Sequence, residues 1–297
     1  MEKYIDLHCH SVHSEGKLNV QGLLMLAKKN QIKALALTDH NSISGVAELL
    51  KLSKKFGIEA LTGVELYVQY QGRPLHLLGY NFAIDNPALN KAINGLQEKN
   101  IDNVKKSVNS LREQGFKIKT TDIINQKSCN YGVIHLLMAL EKYPENIAKI
   151  NRELTTAKRE FFNKVGFYFG QGKPAHLPLV ELPIKQGIDI IKQCGGFTSL
   201  AHPGQQLNFE QDTVILELKK MGLDGLETLS PYHTWHQIEH YQNLALTNNL
   251  LMTGGSDYHS DIDFSKEKLV HRQWDYFKVP YVFFENIKII LKKDKKL

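Results

Sequence analysis

Cysteine is scarce in this 297-residue chain: Cys9, Cys129 and Cys194 are far apart, odd in number and form no C-x-x-C pair. That argues against a disulfide framework or a cysteine-built zinc knuckle and for a reducing compartment. The chain also lacks an apolar run of membrane-spanning length and the charged-then-apolar start of a secretory leader. The expected location is therefore the cytoplasm, away from any membrane. No low-complexity tract or internal repeat occurs, and nothing in the pattern calls for an obligate protein partner. Acidic residues are the minority sign, with 31 Asp and Glu against 37 Lys and Arg, a net +6 and a pI near 9.0. Four lysines lie in Lys292–Leu297 and read as a solvated end. The remaining basic balance suits a phosphorylated small molecule or an oligonucleotide.

What the chain does have is histidine, thirteen in all. The start, Tyr4-Ile5-Asp6-Leu7-His8-Cys9-His10, reads as a buried strand, and side chains at i and i+2 of a strand point the same way. His8 and His10 thus project together, with Cys9 turned to the opposite face and Glu15 following. Two imidazoles and a carboxylate are ordinary ligands of a divalent cation. Later strand-like segments end in the same residue types. Ala34–Thr38 leads to Asp39 and His40, Ile58–Glu65 ends on Glu65, Phe197–Ala201 leads to His202, and Leu250–Thr253 leads to Asp257 and His259. Active sites of α/β folds lie at the carboxyl ends of the strands, so this repeated placement is the strong signal. His76 is the exception: it lies inside the apolar run Leu75–Tyr80 and by itself reads as a hydrogen-bonded core residue.

Helical segments separate these strands: Val20 to Asn30, about Ser44 to Phe56 with Ser42 or Ser44 as cap, Ile184 to Cys194, about Phe209 to Met221, and a helix ending near Asn248. The β-α-β-α-β rhythm predicts a parallel sheet with covering helices. Between about residues 86 and 178 the pattern turns helical and charged, with a long helix from Pro87 to about Gln114 closed by Gly115 and a second over Gly132–Leu140. Gly170–His176 reads as a loop back. The expected organisation is a barrel domain over 1–86 and 179–297 with an inserted helical region over 87–178 near the active site.

The segments Asp6-Leu7-His8-Cys9-His10-Ser11, Leu37-Thr38-Asp39-His40-Asn41, Gly63-Val64-Glu65, Leu75-His76-Leu77-Leu78-Gly79-Tyr80, Ala201-His202-Pro203 and Gly255-Ser256-Asp257-Tyr258-His259 appear in that order and span nearly the whole chain. In this the sequence resembles the PHP (polymerase and histidinol phosphatase) superfamily, and most of all its stand-alone nucleotide phosphoesterase-like branch. The resemblance implies a distorted (β/α)7 barrel with an inserted helical subdomain and three divalent ions, which Mn, Zn or Fe would suit. It implies one ion on His8, His10, Glu65 and Asp257, a second bridged by Glu65 and completed by His76 and His202, and a third on Glu15, His40 and His259. His76 then becomes a ligand. Asp6 and Asp39 are candidates to orient the ligating imidazoles.

Such a centre hydrolyses phosphate esters by attack of a metal-bridging hydroxide. The expected enzyme is a metal-dependent phosphoric ester hydrolase acting on a small phosphate monoester, a nucleotide above all. His135 and His233 are the candidates for the acid that protonates the leaving group. A 5′-3′ exonuclease acting on short RNA or DNA is the alternative. For it, Arg159–Lys164 and Phe167–Phe169 offer interleaved aromatic and basic residues, although such aromatics more often pack a core. A non-catalytic metal or phosphate-binding module would have lost ligands, and here all nine positions keep coordinating groups. Two arginines common in phosphatase relatives are missing: Val133 stands two residues before His135, and Gly204-Gln205-Gln206 follows His202-Pro203. Glutamine cannot reproduce the planar bidentate grip of arginine on phosphate, so Lys173 and Arg159 are expected to compensate.

Overall fold

A computed structural model describes residues 2–124, 128–154, 161–260, 262–264, 269–271 and 273–294. The chain divides into two compact units, Met1–Ile93 with Glu181–Leu297, and Asn94–Val180.

In the first unit, β1 (Tyr4–Cys9), β2 (Ile32–Leu37) and β3 (Glu59–Leu61) run parallel. They are joined by α1 (Val20–Lys29) and α2 (Val46–Phe56). Helix α1 starts where Asn19 accepts the N–H of Gly22. Helix α2 starts at Gly45 with no side-chain cap, in place of the expected Ser42 or Ser44, and ends where Gly57 takes φ +66°. The apolar stripes of both helices and the outer face of β1 and β2, including Cys9, form one cluster with Tyr258 and Trp274.

The expected single strand over Ile58–Glu65 breaks at Thr62. Its second half opens β4 (Gly63–Tyr70), which turns at Gln71 and Gly72 into β5 (Arg73–Tyr80). Both turn residues have positive φ, so the chain reverses in two residues and β4 and β5 pair antiparallel, Glu65 opposite Leu78 and His76 opposite Tyr67. This corrects the parallel-sheet expectation. A six-stranded mixed sheet runs in the order β6 (Leu182–Pro183), β4, β5, β7 (Phe197–Leu200), β8 (Gly225–Leu229), β9 (Leu251–Gly254). Helix α8 (Ile184–Gln193) precedes β7, α9 (Pro203–Gln206) and α10 (Asp212–Lys220) lie between β7 and β8, and α11 (Trp235–Thr247) precedes β9.

The four-stranded sheet is completed by β12 (Val279–Pro280) against β1. A two-stranded ribbon pairs β10 (Ile262–Phe264) with β11 (Leu269–His271). Helices α12 (Gln273–Tyr276) and α13 (Val282–Asp294) close the chain. Backbone bridges at Cys9–Tyr258 and His40–Glu65 link the strand ends of the two larger sheets.

The second unit is helical: most of α3 (Pro87–Glu113), then α4 (Thr121–Ile124), α5 (Val133–Glu141), α6 (Pro144–Glu153) and α7 (Phe161–Phe169). Its own core gathers Val104, Leu111, Ile123, Leu136, Leu140, Ile150, Tyr168 and Phe169. Tyr168 and Phe169, part of the aromatic run considered for RNA stacking, are thus core, while half-exposed Phe167 has the Lys173 ammonium 5.6 Å above its ring. Arg159 lies outside the described residues, as does the side-chain placement of Phe161 and Phe162. Among the described residues, no helix is long and apolar enough to cross a membrane.

Candidate metal centre

The strand ends of the first unit bring polar side chains to one point. His8 and His10, two apart on β1, face the same way and are fully buried. The segment after β9 passes directly over them: a Cβ on Gly255 would stand 2.4 Å from the backbone nitrogen of His8, so only glycine fits there. That passage delivers Asp257, whose φ of +52°, together with +22° at His202 and +46° at Asn41, puts strained non-glycine backbone around the site.

Glu65 is the hub. Its Oε2 lies 3.1 Å from His8 Nε2, 3.2 Å from His10 Nε2 and 3.0 Å from His40 Nδ1. Its Oε1 lies 2.9 Å from His76 Nδ1 and 3.3 Å from His202 Nε2. Asp257 Oδ1 is 2.9 Å from His10 Nε2, 3.3 Å from His8 Nε2 and 3.6 Å from His259 Nδ1. Yet His8 Nε2, His10 Nε2, His40 Nδ1, Glu65 Oε2 and Asp257 Oδ1 are buried with no hydrogen-bond partner. They converge but do not align as donor and acceptor. Ligand atoms about 2.1 Å from an ion in tetrahedral or octahedral geometry stand roughly 3.0–3.4 Å from one another, which is the spacing seen here. Donor sets within 4.8 Å are His8, His10, Glu65 and Asp257; His40, Glu65 and His76; and His10, His40 and His259. The residues fit divalent ions.

Electrostatics agree with the geometry. Burial alone would lift the Glu65 carboxyl, but the imidazoles of His8, His40 and His76 overcome it and hold the group well below the usual range. Asp257 is held down in the same way by His8, His259 and His10. Burial disfavours the charged form of His10, but Asp257 and Glu65 prevail and raise it to about 9. Burial drives His40 down to about 3. The Glu15 carboxyl is pushed up to about 7, by burial first and then, against His10, by the charges of Asp257 and Glu65, which places it in the field of the cluster.

Glu227, on β8 and fully buried, contacts the cluster and was not singled out by the sequence patterns. Its carboxylate accepts from His8 Nδ1 at 3.1 Å and from the His202 N–H at 2.7 Å. The first bond puts the His8 proton on Nδ1 and turns the Nε2 lone pair toward Glu65. The signal was a lone carboxylate in the apolar run Gly225–Leu229. Asp6 and Asp39, expected to orient imidazoles, touch none directly. Asp6 accepts the N–H groups of His8 and Ser256 at 3.0 Å each, together with the Ser256 hydroxyl and the Trp274 indole. Asp39 binds the Ser11 N–H and hydroxyl at 2.7 Å and the Ser14 hydroxyl at 2.6 Å. Gln206, in the Gly204-Gln205-Gln206 segment after His202-Pro203, accepts the His76 N–H at 2.7 Å. Its amide nitrogen donates to the Ala201 carbonyl at 2.8 Å and stands 2.7 Å from His202 Nδ1.

The two histidines expected to protonate the leaving group both hydrogen-bond backbone groups. Both ring nitrogens of His233 meet backbone groups: Nε2 accepts the Gly204 N–H at 3.1 Å, and Nδ1 donates to the Thr228 carbonyl at 3.1 Å. His135 belongs to the second unit, where its Nδ1 accepts the Gly132 N–H at 3.1 Å at the start of α5.

A PHP domain model matches residues 6–170, more than half of the chain. A 5′-3′ exoribonuclease of Haemophilus influenzae is 31% identical over 87% of this chain and 91% of its own. A 3′,5′-nucleoside bisphosphate phosphatase of Chromobacterium violaceum is 26% identical over 86% of this chain and 87% of its own. A solved Bifidobacterium adolescentis protein assigned as a metal-dependent phosphoesterase shares the fold. Its TM-score is 0.69 at 24% identity, with 87% of this chain and 88% of that one covered. The motifs, the convergent donors and these likenesses identify the chain as a member of the PHP domain family.

Proposed function

We propose that the protein is a metal-dependent phosphoesterase that hydrolyses the phosphate monoester of a nucleotide. The observation that carries this is the set of five buried, unpartnered donor atoms on His8, His10, His40, Glu65 and Asp257. His8, His10, Glu65 and Asp257 would hold one ion, Glu65 with His76 and His202 a second, and His40 and His259 with Glu15 a third. Divalent ions in such a setting lower the pKa of bound water and neutralise charge on the phosphoryl group and leaving oxygen. The chain's own part is to keep Glu65 and Asp257 ionised, to fix the His8 tautomer through Glu227, and to hold the rim rigid. His233 serves as a latch between the Gly204 turn and β8. We further infer that the two larger sheets close as a distorted (β/α)7 barrel; the bridges at Cys9–Tyr258 and His40–Glu65 support this.

The test is phosphate release by the metal-reconstituted protein from nucleoside monophosphates, nucleoside 3′,5′-bisphosphates and 5′-phosphorylated oligonucleotides, with Asp257→Ala as control. Free phosphate from a mononucleotide, absent in the variant, is the expected result. The Haemophilus relative favours a second reading, 5′-3′ removal of nucleotides from short RNA; shortened oligonucleotides and released mononucleotides without free phosphate would establish it.

A further inference from the structure

The turn that leaves β8 at the metal-centre end, Ser230 to Trp235, carries two exposed aromatic side chains. Tyr232 is 43% exposed and Trp235 is 84% exposed. Tyr232 belongs to the site rim. Its ring stands edge-on to that of His202, with centroids 5.8 Å apart. Trp235 follows three residues later, which limits its Cα to within about 11 Å of the Tyr232 Cα.

The turn is not loose. His233 joins Thr228 to Gly204, and Gln237 donates to the Gly204 carbonyl at 3.0 Å. Thr234 caps α11 by accepting the N–H of Gln237. Contact is close enough that a Cβ on Gly204 would stand 2.7 Å from the His233 ring. Trp235 therefore sits on an anchored helix start, and its indole remains almost wholly in water. A large aromatic surface on rigid backbone loses little conformational freedom when something planar stacks on it.

We propose that Trp235 is a stacking platform for the base of the substrate, carried by the same anchored turn that sets Tyr232 against His202. The substrate class is then a phosphate ester whose leaving half carries a planar heteroaromatic ring, as opposed to a sugar phosphate or a phosphorylated aliphatic. This rests on the phosphoesterase reading above and narrows it. It also bears on the missing arginines: binding energy drawn from the base lessens the demand on the phosphate grip.

The experiment compares kcat/KM for a nucleoside 5′-monophosphate with that for ribose 5-phosphate, the same ester without a base, in wild type, Trp235→Ala and Trp235→Phe. Base–aromatic stacking predicts that the wild-type preference for the nucleotide falls about tenfold in Trp235→Ala, carried by KM, and largely returns in Trp235→Phe. Leu246→Ala, which removes another exposed apolar side chain of α11, keeps the wild-type ratio. An unchanged ratio in Trp235→Ala overturns the proposal, as does an equal loss with both esters. Indole emission gives an independent readout, because Trp274 is 2% exposed and the remaining indole is Trp235. A nucleoside monophosphate is expected to quench the wild type and not Trp235→Phe, and ribose 5-phosphate to quench neither. Quenching without hydrolysis of either ester would sink the phosphoesterase reading and leave the platform standing; hydrolysis without quenching would do the reverse.

Discussion

Two pairs of buried carboxylates lie at one rim and behave in opposite ways. Asp6 and Asp39 accept from backbone N–H groups, serine hydroxyls and, for Asp6, an indole, so the protein itself satisfies them. Glu65 and Asp257 are packed among imidazole nitrogens at hydrogen-bond distance, yet each has an oxygen with no aligned partner. Leaving a buried charge unpaired costs several kcal/mol, more than a fold tolerates without compensation. Burial of a carboxylate therefore does not mark a metal site. Burial without hydrogen bonds, among other lone pairs, does.

The largest effect that could break this contrast is the loss of a hub. Glu65→Ala or Asp257→Ala should lower turnover by roughly 10³-fold or more, because each removes a carboxylate that would hold an ion and with it the charge stabilisation the ion would supply. Metal content per protein, measured by elemental analysis, should fall with it. A variant that keeps both its ions and its rate would take the cluster out of the reaction.

Next is pH. His10 has a folded value near 9 against 6.5 in the unfolded chain, so between these values the metal-free folded state binds more protons than the unfolded state. The His10 contribution to metal-free stability is thus complete below about 6.5 and is lost as pH rises through about 9. An ion must displace that proton, so affinity should climb over the same window by up to about tenfold per pH unit. Calorimetric titration of the metal-free protein with Mn or Zn at several pH values would show it; a flat profile would mean that His10 does not bind through the nitrogen that carries the proton.

Glu227 sharpens the contrast from the other side, because its acceptors are used on ligand residues. Glu227→Gln should weaken ion binding by about 10–100-fold with the fold retained. Glu227 also shows where the sequence stops being legible. His8, His10, His40, Asp257 and His259 stand out because polar residues that end apolar runs recur at one kind of position. Glu227 interrupts a run, and so does His76, whose neighbours on β5 are apolar; a buried charge inside a strand has no local signal of its partner, which here lies 219 residues away. The direction of β5 was hidden for a related reason. Alternation of side chains reports which face is buried and says nothing of strand polarity, which two positive-φ residues at Gln71 and Gly72 decided. Segments as short as β3, β6 and β12 exist only because a neighbouring strand supplies their hydrogen bonds.

The smallest effect tests the satisfied pair. In Asp6→Asn the side chain keeps one acceptor oxygen, while its new NH2 group faces the donors of the oxygen it replaces, either the His8 and Ser256 N–H groups or the Ser256 hydroxyl and the Trp274 indole. Buried donors left unmet cost about 1–3 kcal/mol, so thermal unfolding should move down by several degrees. Burial has also raised the Asp6 carboxyl to about 6, which removes stability as pH rises from about 4 to 6; Asp6→Asn abolishes that slope. Ion affinity should fall less than in Glu227→Gln, because Asp6 fixes backbone and offers no lone pair to the cluster. If Asp6→Asn instead strips the ions and leaves the unfolding temperature alone, the distinction between carboxylates that hold the rim and carboxylates that await a cation is wrong.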